Sequence, residues 1–443
     1  MACAGGAGLG MLGACRWPTA SNLCQTTGIK DMQSEPNDNG VLNRDPAGCW
    51  RGLAVLATAM LLAMTTWFSA TAVVPQLVQH WGLQTGQAAW LTIAVQLGFV
   101  LGALGSALLN LADRIAPRRL MLLGAVLAAL ANLFLLLAPG LWTAVVLRGI
   151  TGACLAAVYP PAMKAMATWF RFKRGTALGI MVGALTLGSA APHLVNGMGG
   201  LEWQRVIVVT SLLTLLGGLV AEYLGSDGPF PFPRAPFDPR KAWQVFSDRR
   251  VLLTSLGYFG HMWELYAMWA WFSVFFTSTL ALQGVEQAGM WAAFGTFAVI
   301  GSGAAGCLAG GLLGDHWGRA RATALAMAIS GGCALIIGFM QQAPVLLVLL
   351  VGLVWGFWVV ADSAQFSTLL TEVADQSYVG TALTLQLAIG FILTVPTIWL
   401  IPVIQQAAGW GAAFGLLSLG PLAGIVAMRA LDKGTPARAS ARG

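Results

Sequence analysis

Long apolar stretches alternate with short polar segments over most of this chain of 443 residues. A helix needs about 20 predominantly apolar residues to cross the hydrocarbon core of a bilayer. Twelve stretches reach this length, and we number them in chain order as spans 1 to 12. They cover approximately residues 53–76, 87–111, 119–138, 141–166, 176–198, 205–224, 252–279, 288–313, 321–341, 344–369, 380–404 and 410–429. The pattern predicts an all-α integral membrane protein with twelve transmembrane helices.

The polar segments around the spans divide the chain further. Residues 1–50 mix Gly, Ser, Asn, Asp and Pro without a sustained apolar core, which predicts a disordered cytoplasmic leader and not a signal peptide. Met32 offers a second start site within this leader. Residues 225–250 combine several prolines with mixed charges, which predicts a cytoplasmic linker. We therefore expect one six-helix bundle over residues 51–224, a second over residues 251–429, and a cytoplasmic tail over residues 430–443.

The composition agrees with a membrane protein, and the distribution of charge indicates how the chain is oriented in the membrane. Charged residues make up 9% of the sequence, well below the quarter or so that is typical of soluble proteins. The formal net charge is +7, but the lysines and arginines collect after the even-numbered spans and in the tail, whereas the opposite loops hold only Arg205. By the positive-inside rule, this predicts a cell (inner) membrane protein with both termini in the cytoplasm. The basic charge therefore indicates topology and not a nucleic-acid partner.

The cysteines do not change this picture. Seven are present, four in the leader and three within spans, and their spacing matches no metal site. We expect neither a disulfide framework nor a bound metal or cofactor.

The second half of the sequence repeats features of the first half at an offset of about 204 residues. Met64-x-x-Trp67-Phe68-Ser69 in span 1 recurs as Met268-x-x-Trp271-Phe272-Ser273 in span 7. Gly-Thr-Ala-Leu opens span 5 at residue 175 and span 11 at residue 380, and Pro192 corresponds to Pro396. Several matches in the same order predict two pseudo-symmetric halves of six helices each.

A polar hairpin separates spans 8 and 9 and reads Gly-Leu-Leu-Gly-Asp-His-Trp-Gly-Arg-Ala-Arg over residues 311–321. Gly318 supplies backbone freedom for the turn. Arg319 can satisfy the last carbonyls of one helix, and Asp315 is left to face a helix N-terminus, where negative charge is favoured. A degraded copy containing Asp113 and Arg114 follows span 2.

The hairpin that begins at Gly311 resembles the signature loop of the major facilitator superfamily, which lies between helices 2 and 3 and again between helices 8 and 9. The first copy departs from the family pattern, because Leu109 stands in place of its leading glycine and Ala116-Pro117 replaces its Gly-Arg step. The resemblance implies two bundles that rock around a shared central site. The chain also resembles nitrate and nitrite carriers loosely, although the arginines of that subfamily are absent from spans 2 and 8.

Ionisable groups inside a membrane are costly, and they mark substrate or proton paths by default. The candidates of this kind are Arg148, His193, His261, Glu264 and Asp362. Lys164 lies nearer the end of span 4, where its side chain can reach the interface. For His193, the alternative is a histidine that only satisfies a backbone carbonyl.

His261 and Glu264 are three residues apart in span 7 and therefore share a helix face. A carboxylate beside an imidazole at mid-membrane predicts a proton-coupling pair with Glu264 as the proton acceptor. The alternative is a neutral Glu264 that is hydrogen-bonded to a neighbouring helix.

Arg148 lies in Leu-Arg-Gly-Ile-Thr-Gly, residues 147–152, which is similar to the helix 4 motif of the family. Arginine cannot lose its charge, so Arg148 must meet an anion or many acceptors. We expect it to contact an anionic substrate, or to face Asp362 of span 10 across a central cavity. Structural pairing is the alternative. Trp67 and Trp271 are expected to form aromatic walls of that cavity, which suits a partly apolar substrate.

These observations predict a secondary transporter that moves a small anion by proton-coupled alternating access. The signature loops, with Asp113, Arg114, Gly311, Asp315, Gly318 and Arg319, would stabilise one state. Proton-driven efflux of a lipophilic drug or metabolite is the alternative within this class, and a transport-dead receptor or sensor is the alternative from another class. No catalytic motif predicts an enzyme. We expect a monomer whose partners are a small-molecule substrate, protons and the lipid bilayer.

Overall fold

The computed structural model describes residues 45–198, 202–231, 238–375 and 377–433, and the regular secondary structure of this part is helical throughout. In the first half of the chain the helices are α1 Cys49–Ala63, α2 Val74–Trp81, α3 Thr85–Leu108, α4 Leu111–Arg114, α5 Pro117–Leu133, α6 Leu141–Leu155, α7 Tyr159–Met166, α8 Arg174–Met198 and α9 Trp203–Tyr223. In the second half they are α10 Ala242–Ser247, α11 Arg249–Leu282, α12 Ala288–Trp317, α13 Arg319–Ile337, α14 Val345–Ala361, α15 Ser363–Val373, α16 Val379–Leu417 and α17 Leu419–Lys433. Short 3-10 turns cover Met64–Thr66, Thr71–Val73, Phe134–Leu137 and Pro239–Lys241.

Eleven helical segments of the described residues are long and apolar enough to cross a membrane. The last one, Val379–Lys433, has 55 residues, far more than one crossing needs. Gly409 interrupts it with a φ of 81°. Beyond this break, Trp410 contacts Gly338, Pro421 contacts Gly331 and Asp432 pairs with Arg321, so the chain follows α13 from its end back to its beginning. The segment therefore holds two antiparallel crossing helices, which correspond to predicted spans 11 and 12.

The two halves repeat the same helix contacts. In the first half, α1 packs on α8 and α9, α3 packs on α6, and α5 packs on α6 and α9. In the second half, α11 packs on α16 and α17, α12 packs on α14, and α13 packs on α14 and α17. These are the same pairs of spans in both halves, as the internal repeat predicts.

Equivalent glycines make close helix crossings in each half. Gly152 of α6 packs on the carbonyl of Val95, and Gly356 of α14 packs on the carbonyl of Val299. Both residue numbers differ by 204, so the sequence repeat is also a repeat of backbone contacts. Small residues at such crossings let helices approach closely in lipid.

Two symmetry-related seams join the halves, namely α8 with α12 and α3 with α16. Along the first seam, Gly179 and Gly183 lie against the backbone at Cys307 and Ala304. The connections that follow the even-numbered spans all lie at one end of the molecule, which we call the basic end. Here Arg118 donates to the carbonyl of Gly225, and the guanidinium of Arg171 lies over the ring of Phe230.

The helices begin and end a few residues away from the predicted boundaries of the leader, the bundles and the tail. Cys49 and Trp50 fall in the predicted leader but belong to the first turn of α1, and α11 begins at Arg249, two residues before the predicted bundle. The helix α17 continues to Lys433, into the predicted tail. Residues 1–44 of the leader, 232–237 of the linker and 434–443 of the tail lie outside the described residues.

Candidate functional site

A cavity of about 140 Å³ lies between the two halves. Its walls come from both halves, including Leu178 and Val182 of α8 and Leu383 and Leu387 of α16. Its polar groups are Tyr159, Thr186, Tyr258, His261, Tyr266, Ser363, Ser367 and Gln386. Met163 and Leu383 are close to the basic ends of their helices, so the cavity occupies the half of the membrane nearer the basic end.

Six buried aromatic residues close the cavity on the side away from the basic end. We call this set the aromatic layer, and it consists of Trp67, Phe68, Phe99, Tyr266, Trp269 and Phe391. The rings of Phe68 and Trp269 have centroids 5.7 Å apart, and those of Trp67 and Tyr266 are 6.1 Å apart. Each of these contacts joins the two halves. Any solute that passes through the centre must therefore separate these rings.

The helix of span 1 is broken just before the aromatic layer, and Arg148 stabilises the backbone at this break. Helix α1 ends at Ala63 and is followed by 3-10 turns, which leave backbone carbonyls free. The Arg148 guanidinium donates to the carbonyl of Thr66 at 2.9 Å and to that of Trp67. It also donates to Ser69 at 3.1 Å and to Asn132 at 3.2 Å.

Arg148 is completely buried and does not line the cavity. Within the described residues no ion pair with a carboxylate is found for it. Its charge is instead balanced by carbonyl oxygens at the C-terminal end of α1, where the helix dipole is negative. The expected salt bridge between Arg148 and Asp362 is therefore wrong for this conformation.

Glu264 points into the second bundle and not into the cavity. Its Oε2 accepts a hydrogen bond from Ser330 Oγ at 2.9 Å, and its Oε1 accepts one from Trp355 Nε1 at 2.7 Å. Glu264 is 1% exposed. This is the arrangement given above as the alternative to a proton-coupling role, because both carboxylate oxygens bind neighbouring helices.

His261 lines the cavity and meets a different carboxylate from the expected one. Its Nδ1 lies 2.8 Å from Asp362 Oδ1, and its Nε2 lies 3.0 Å from Ser363 Oγ. Asp362 stands at the junction of α14 and α15, which turns its carboxylate toward α11. The imidazole therefore separates the Asp362 carboxylate from the cavity. Imidazole and carboxylate groups both take part in proton transfer, so this pair can carry a proton at the cavity wall.

His193 is completely buried in α8, and neither of its ring nitrogens has a hydrogen-bond partner among the described residues. It lies seven residues after Thr186 and continues the stripe of α8 that lines the cavity. Lys164 lies in the last turn of α7 and does not line the cavity.

Trp271 does not line the cavity, and its side chain is hydrogen-bonded within the second bundle. Its Nε1 donates to the carbonyl of Ile398 at 2.9 Å. Pro402, four residues later, removes the normal helical partner of that carbonyl. The wall is formed by Trp269, two residues earlier.

The sequence analysis did not select Tyr159, Ser363 or Ser367. One signal could have found them, because Tyr159 and Ser363 are 204 residues apart, as are Met163 and Ser367. All four line the cavity from equivalent positions of spans 4 and 10.

The second signature loop joins the halves at the basic end. Gly318 turns the chain with a φ of 90°. Arg319 pairs with Asp315 at 3.3 Å and with Glu372 at 2.9 Å. The Asp315 carboxylate lies beside Gly175 in the first turn of α8 and therefore faces the N-terminus of that helix.

Gly311 also lies near Gly175, from the last turns of α12. In the first loop, Arg114 is exposed and ends the short helix α4. The side chain of Asp113 lies outside the described part of the structure.

Two repeated helix bundles around a central cavity define a class of multi-span membrane transporters. The family model of the Major Facilitator Superfamily matches residues 56–396, and the chain belongs to this family. It is therefore a multi-pass membrane protein with the all-α fold that the sequence predicts, in a family of transporters. The likeness to nitrate carriers stays a prediction.

Individual relatives are distant. The chain is 27% identical to "Uncharacterized transporter ESBP6" of Saccharomyces cerevisiae over 52% of its own length and 35% of that protein. It is 27% identical to "Puromycin resistance protein pur8" of Streptomyces alboniger, over 44% of this chain and 40% of the relative. It is 28% identical to "Multidrug efflux pump LfrA" of Mycolicibacterium smegmatis, over 44% and 39%. The chain thus matches well under half the length of these relatives.

Proposed function

We propose that this protein is a proton-driven exporter of a lipophilic aromatic compound, and that His261 with Asp362 carries the proton. The observation that carries this proposal is the lining of the cavity. Its walls are mainly aromatic and aliphatic, and among the described residues its lining includes no lysine, arginine, aspartate or glutamate. His261 is the lining residue that bears an imidazole, the side chain that most often transfers protons in proteins.

The lining favours a lipophilic substrate over the small anion expected first. Arg148, the expected anion contact, is occupied by carbonyl oxygens outside the cavity. An anion transferred into this lining would lose its water shell without gaining a fixed cation, which is unfavourable. A flat apolar molecule can instead replace the ring contacts of the aromatic layer with its own. The names of two relatives, which refer to puromycin resistance and multidrug efflux, support the same direction.

The cavity must widen for such a substrate. A cavity of roughly 150 Å³ holds a molecule the size of benzene, whereas drug-sized ligands occupy about 300–1,000 Å³. The present volume of about 140 Å³ therefore fits a closed state between two accessible ones. Rocking of the halves about the two seams would separate the aromatic layer at one end and Asp315 from Gly175 at the other. We propose an inner-membrane monomer with the basic end in the cytoplasm.

Everted membrane vesicles that contain the full chain test the proposal with two uncharged aromatic compounds, N-phenyl-1-naphthylamine and chloramphenicol, as probes. We expect the vesicles to take up the probes when their interior is made more acidic than the medium. A protonophore should abolish this uptake. His261→Gln and Asp362→Asn should lower gradient-driven uptake about tenfold or more, whereas their probe-exchange activity persists. Glu264→Gln is the matched control and should retain gradient-driven uptake if it folds.

Benzoate, an aromatic anion, is the opposing probe. Gradient-driven transport of benzoate without transport of either lipophilic probe would overturn the export proposal in favour of anion transport. Retained coupling in His261→Gln, together with lost coupling in a folded Glu264→Gln, would move the proton site to Glu264.

A further inference from the structure

The short helix α10 in the linker is fastened to the second bundle by one face. Val245 is 1% exposed and packs with Val251, Leu370 and Val379. Polar contacts hold the chain just before it. The backbone N–H of Asp238 donates to Thr381 Oγ1 at 2.9 Å, and Lys241 Nζ donates to the carbonyl of Ser377 at 2.8 Å. The helix is thus fixed against the basic ends of α15 and α16.

The other face of α10 is apolar and uncovered. Trp243 is 80% exposed and Phe246 is 36% exposed, and their spacing of three residues places them on the same side. Arg240, Arg249 and Arg250 are exposed around this pair. No ion pair of these three arginines is found in the part of the chain that the structure describes.

The position of this face relates it to the membrane surface. Helix α11 starts directly after α10 and has 34 residues, which corresponds to a length of about 50 Å. A bilayer measures about 30 Å across its hydrocarbon core and about 40–45 Å with its headgroups. The first turns of α11, and α10 with them, therefore lie at the level of the headgroups. Tryptophan is enriched at this level, because its ring is apolar and its N–H is polar.

We infer that α10 is an interfacial anchor that binds anionic phospholipid. Trp243 and Phe246 enter the boundary between headgroups and acyl chains, and Arg240, Arg249 and Arg250 contact phosphate groups. Two ring faces without a groove offer little to a folded protein partner, whereas a leaflet covers them simply by its position. The three exposed arginines select lipids with a net negative charge. Because Val245 of α10 packs with Val379 at the start of α16, the bound lipid stabilises a helix whose Leu383 and Gln386 line the cavity.

Native mass spectrometry of the purified full-length protein tests this inference with phosphatidylglycerol and phosphatidylcholine. The test variant is Arg240→Gln/Arg249→Gln/Arg250→Gln. The control variant, Arg114→Gln/Arg174→Gln/Arg429→Gln, removes the same charge from other exposed arginines. We expect the wild-type protein and the control to retain phosphatidylglycerol preferentially. The test variant should lose this preference by about fivefold for each arginine at low ionic strength.

Fluorescence quenching in vesicles checks the aromatic part. Brominated phosphatidylglycerol should quench an emission component that is present in the wild type and absent from Trp243→Phe. Equal retention of both lipids by the wild-type protein would overturn the inference, as would equal loss in test and control variants. An unquenched Trp243 component in a folded protein would also overturn it and would leave a soluble partner as the occupant of this face.

Discussion

Spans 1 and 7 begin the two halves and share the pattern Met-x-x-Trp-Phe-Ser, yet they fold differently. In span 1, helix α1 ends at Ala63 and gives way to 3-10 turns, whereas α11 is one continuous helix of 34 residues. Trp67 and Phe68 consequently belong to the aromatic layer between the halves. Their equivalents Trp271 and Phe272 are buried within the second bundle.

A single pair of equivalent positions accounts for much of this difference. Arg148 of span 4 corresponds to Gly352 of span 10, at the offset of 204. The guanidinium of Arg148 satisfies the carbonyls that the broken helix leaves free. In the second half, the ring of Phe272 lies so close to Gly352 that a side chain there would collide with it. The duplication therefore preserved the helix contacts, whereas the charge and volume of single side chains determine which helix breaks.

The largest effect is expected from removing the guanidinium. Arg148→Leu leaves the carbonyls of Thr66 and Trp67 buried without a donor, and each such group costs about 1–3 kcal/mol. We expect the thermal stability of the purified protein to fall by an amount that corresponds to about 3 kcal/mol or more. Arg148→Lys keeps the charge but lacks the forked donors, so its loss should be intermediate.

Transport measurements on the same variants decide between the two roles of this residue. An Arg148→Leu protein of unchanged stability would contradict the structural role. A stable Arg148→Lys protein with an altered substrate profile would restore the expected contact with an anion.

The equivalent glycine crossings should respond alike. Gly152→Ala and Gly356→Ala each place a methyl group on a backbone carbonyl of the neighbouring helix. We expect each to destabilise the protein by about 1–3 kcal/mol, because tightly packed crossings cannot absorb added volume. Gly105→Ala and Gly332→Ala are matched controls, since a Cβ at either position meets open space. They should be neutral or slightly stabilising in a thermal melt.

This experiment tests the repeat itself. If Gly152→Ala were harmless and Gly356→Ala severe, the two crossings would not be equivalent in energy, although they are equivalent in position.

A smaller effect separates the two tryptophans. Trp271→Phe loses the hydrogen bond to the carbonyl of Ile398, which should cost about 1 kcal/mol. Trp67→Phe should cost less, because Trp67 Nε1 has no hydrogen-bond partner among the described residues. Thermal melts of the two single variants measure the difference directly. Equal losses would mean that the Ile398 contact contributes little.

The sequence revealed the spans and the duplication because both depend on patterns that recur along the chain. The break in span 1 was missed, since residues 64–73 contain neither proline nor glycine and the break depends on Arg148 in another helix. The directions of His261 and Glu264 were missed for a related reason. Residues three apart on a helix differ in direction by about 60°. This difference is enough for His261 to face the cavity while Glu264 faces the interior of the bundle. Which of the two faces the cavity depends on how α13 and α14 pack against α11, and the sequence of α11 does not show this.

The smallest effect concerns the aspartates that fasten equivalent loops at the basic end. Asp45 accepts hydrogen bonds from the backbone N–H groups of Arg171, Phe172 and Lys173, just before α8. Asp248 accepts one from the hydroxyl of Tyr378, just before α16. Partial burial acts to raise the pKa of Asp45, but these backbone donors and the charge of Lys173 hold it below the usual value of 3.8.

We expect Asp45→Ala to lower the melting temperature at pH 7 by an amount that corresponds to about 1 kcal/mol or less, as for the loss of an exposed cap. Because the folded-state pKa is depressed, the stabilising contribution is present above the usual pKa and is lost as the pH falls through the folded value. Melts of the wild type and Asp45→Ala should therefore differ at pH 7, and the difference should shrink as the pH falls below the usual pKa of 3.8. Asp248→Ala removes the cap of α11 as well as the Tyr378 contact, so its deficit at pH 7 should be the larger one. A larger deficit in Asp45→Ala would show that the loop before α8, at the seam with α12, depends more on its aspartate than the equivalent loop before α16.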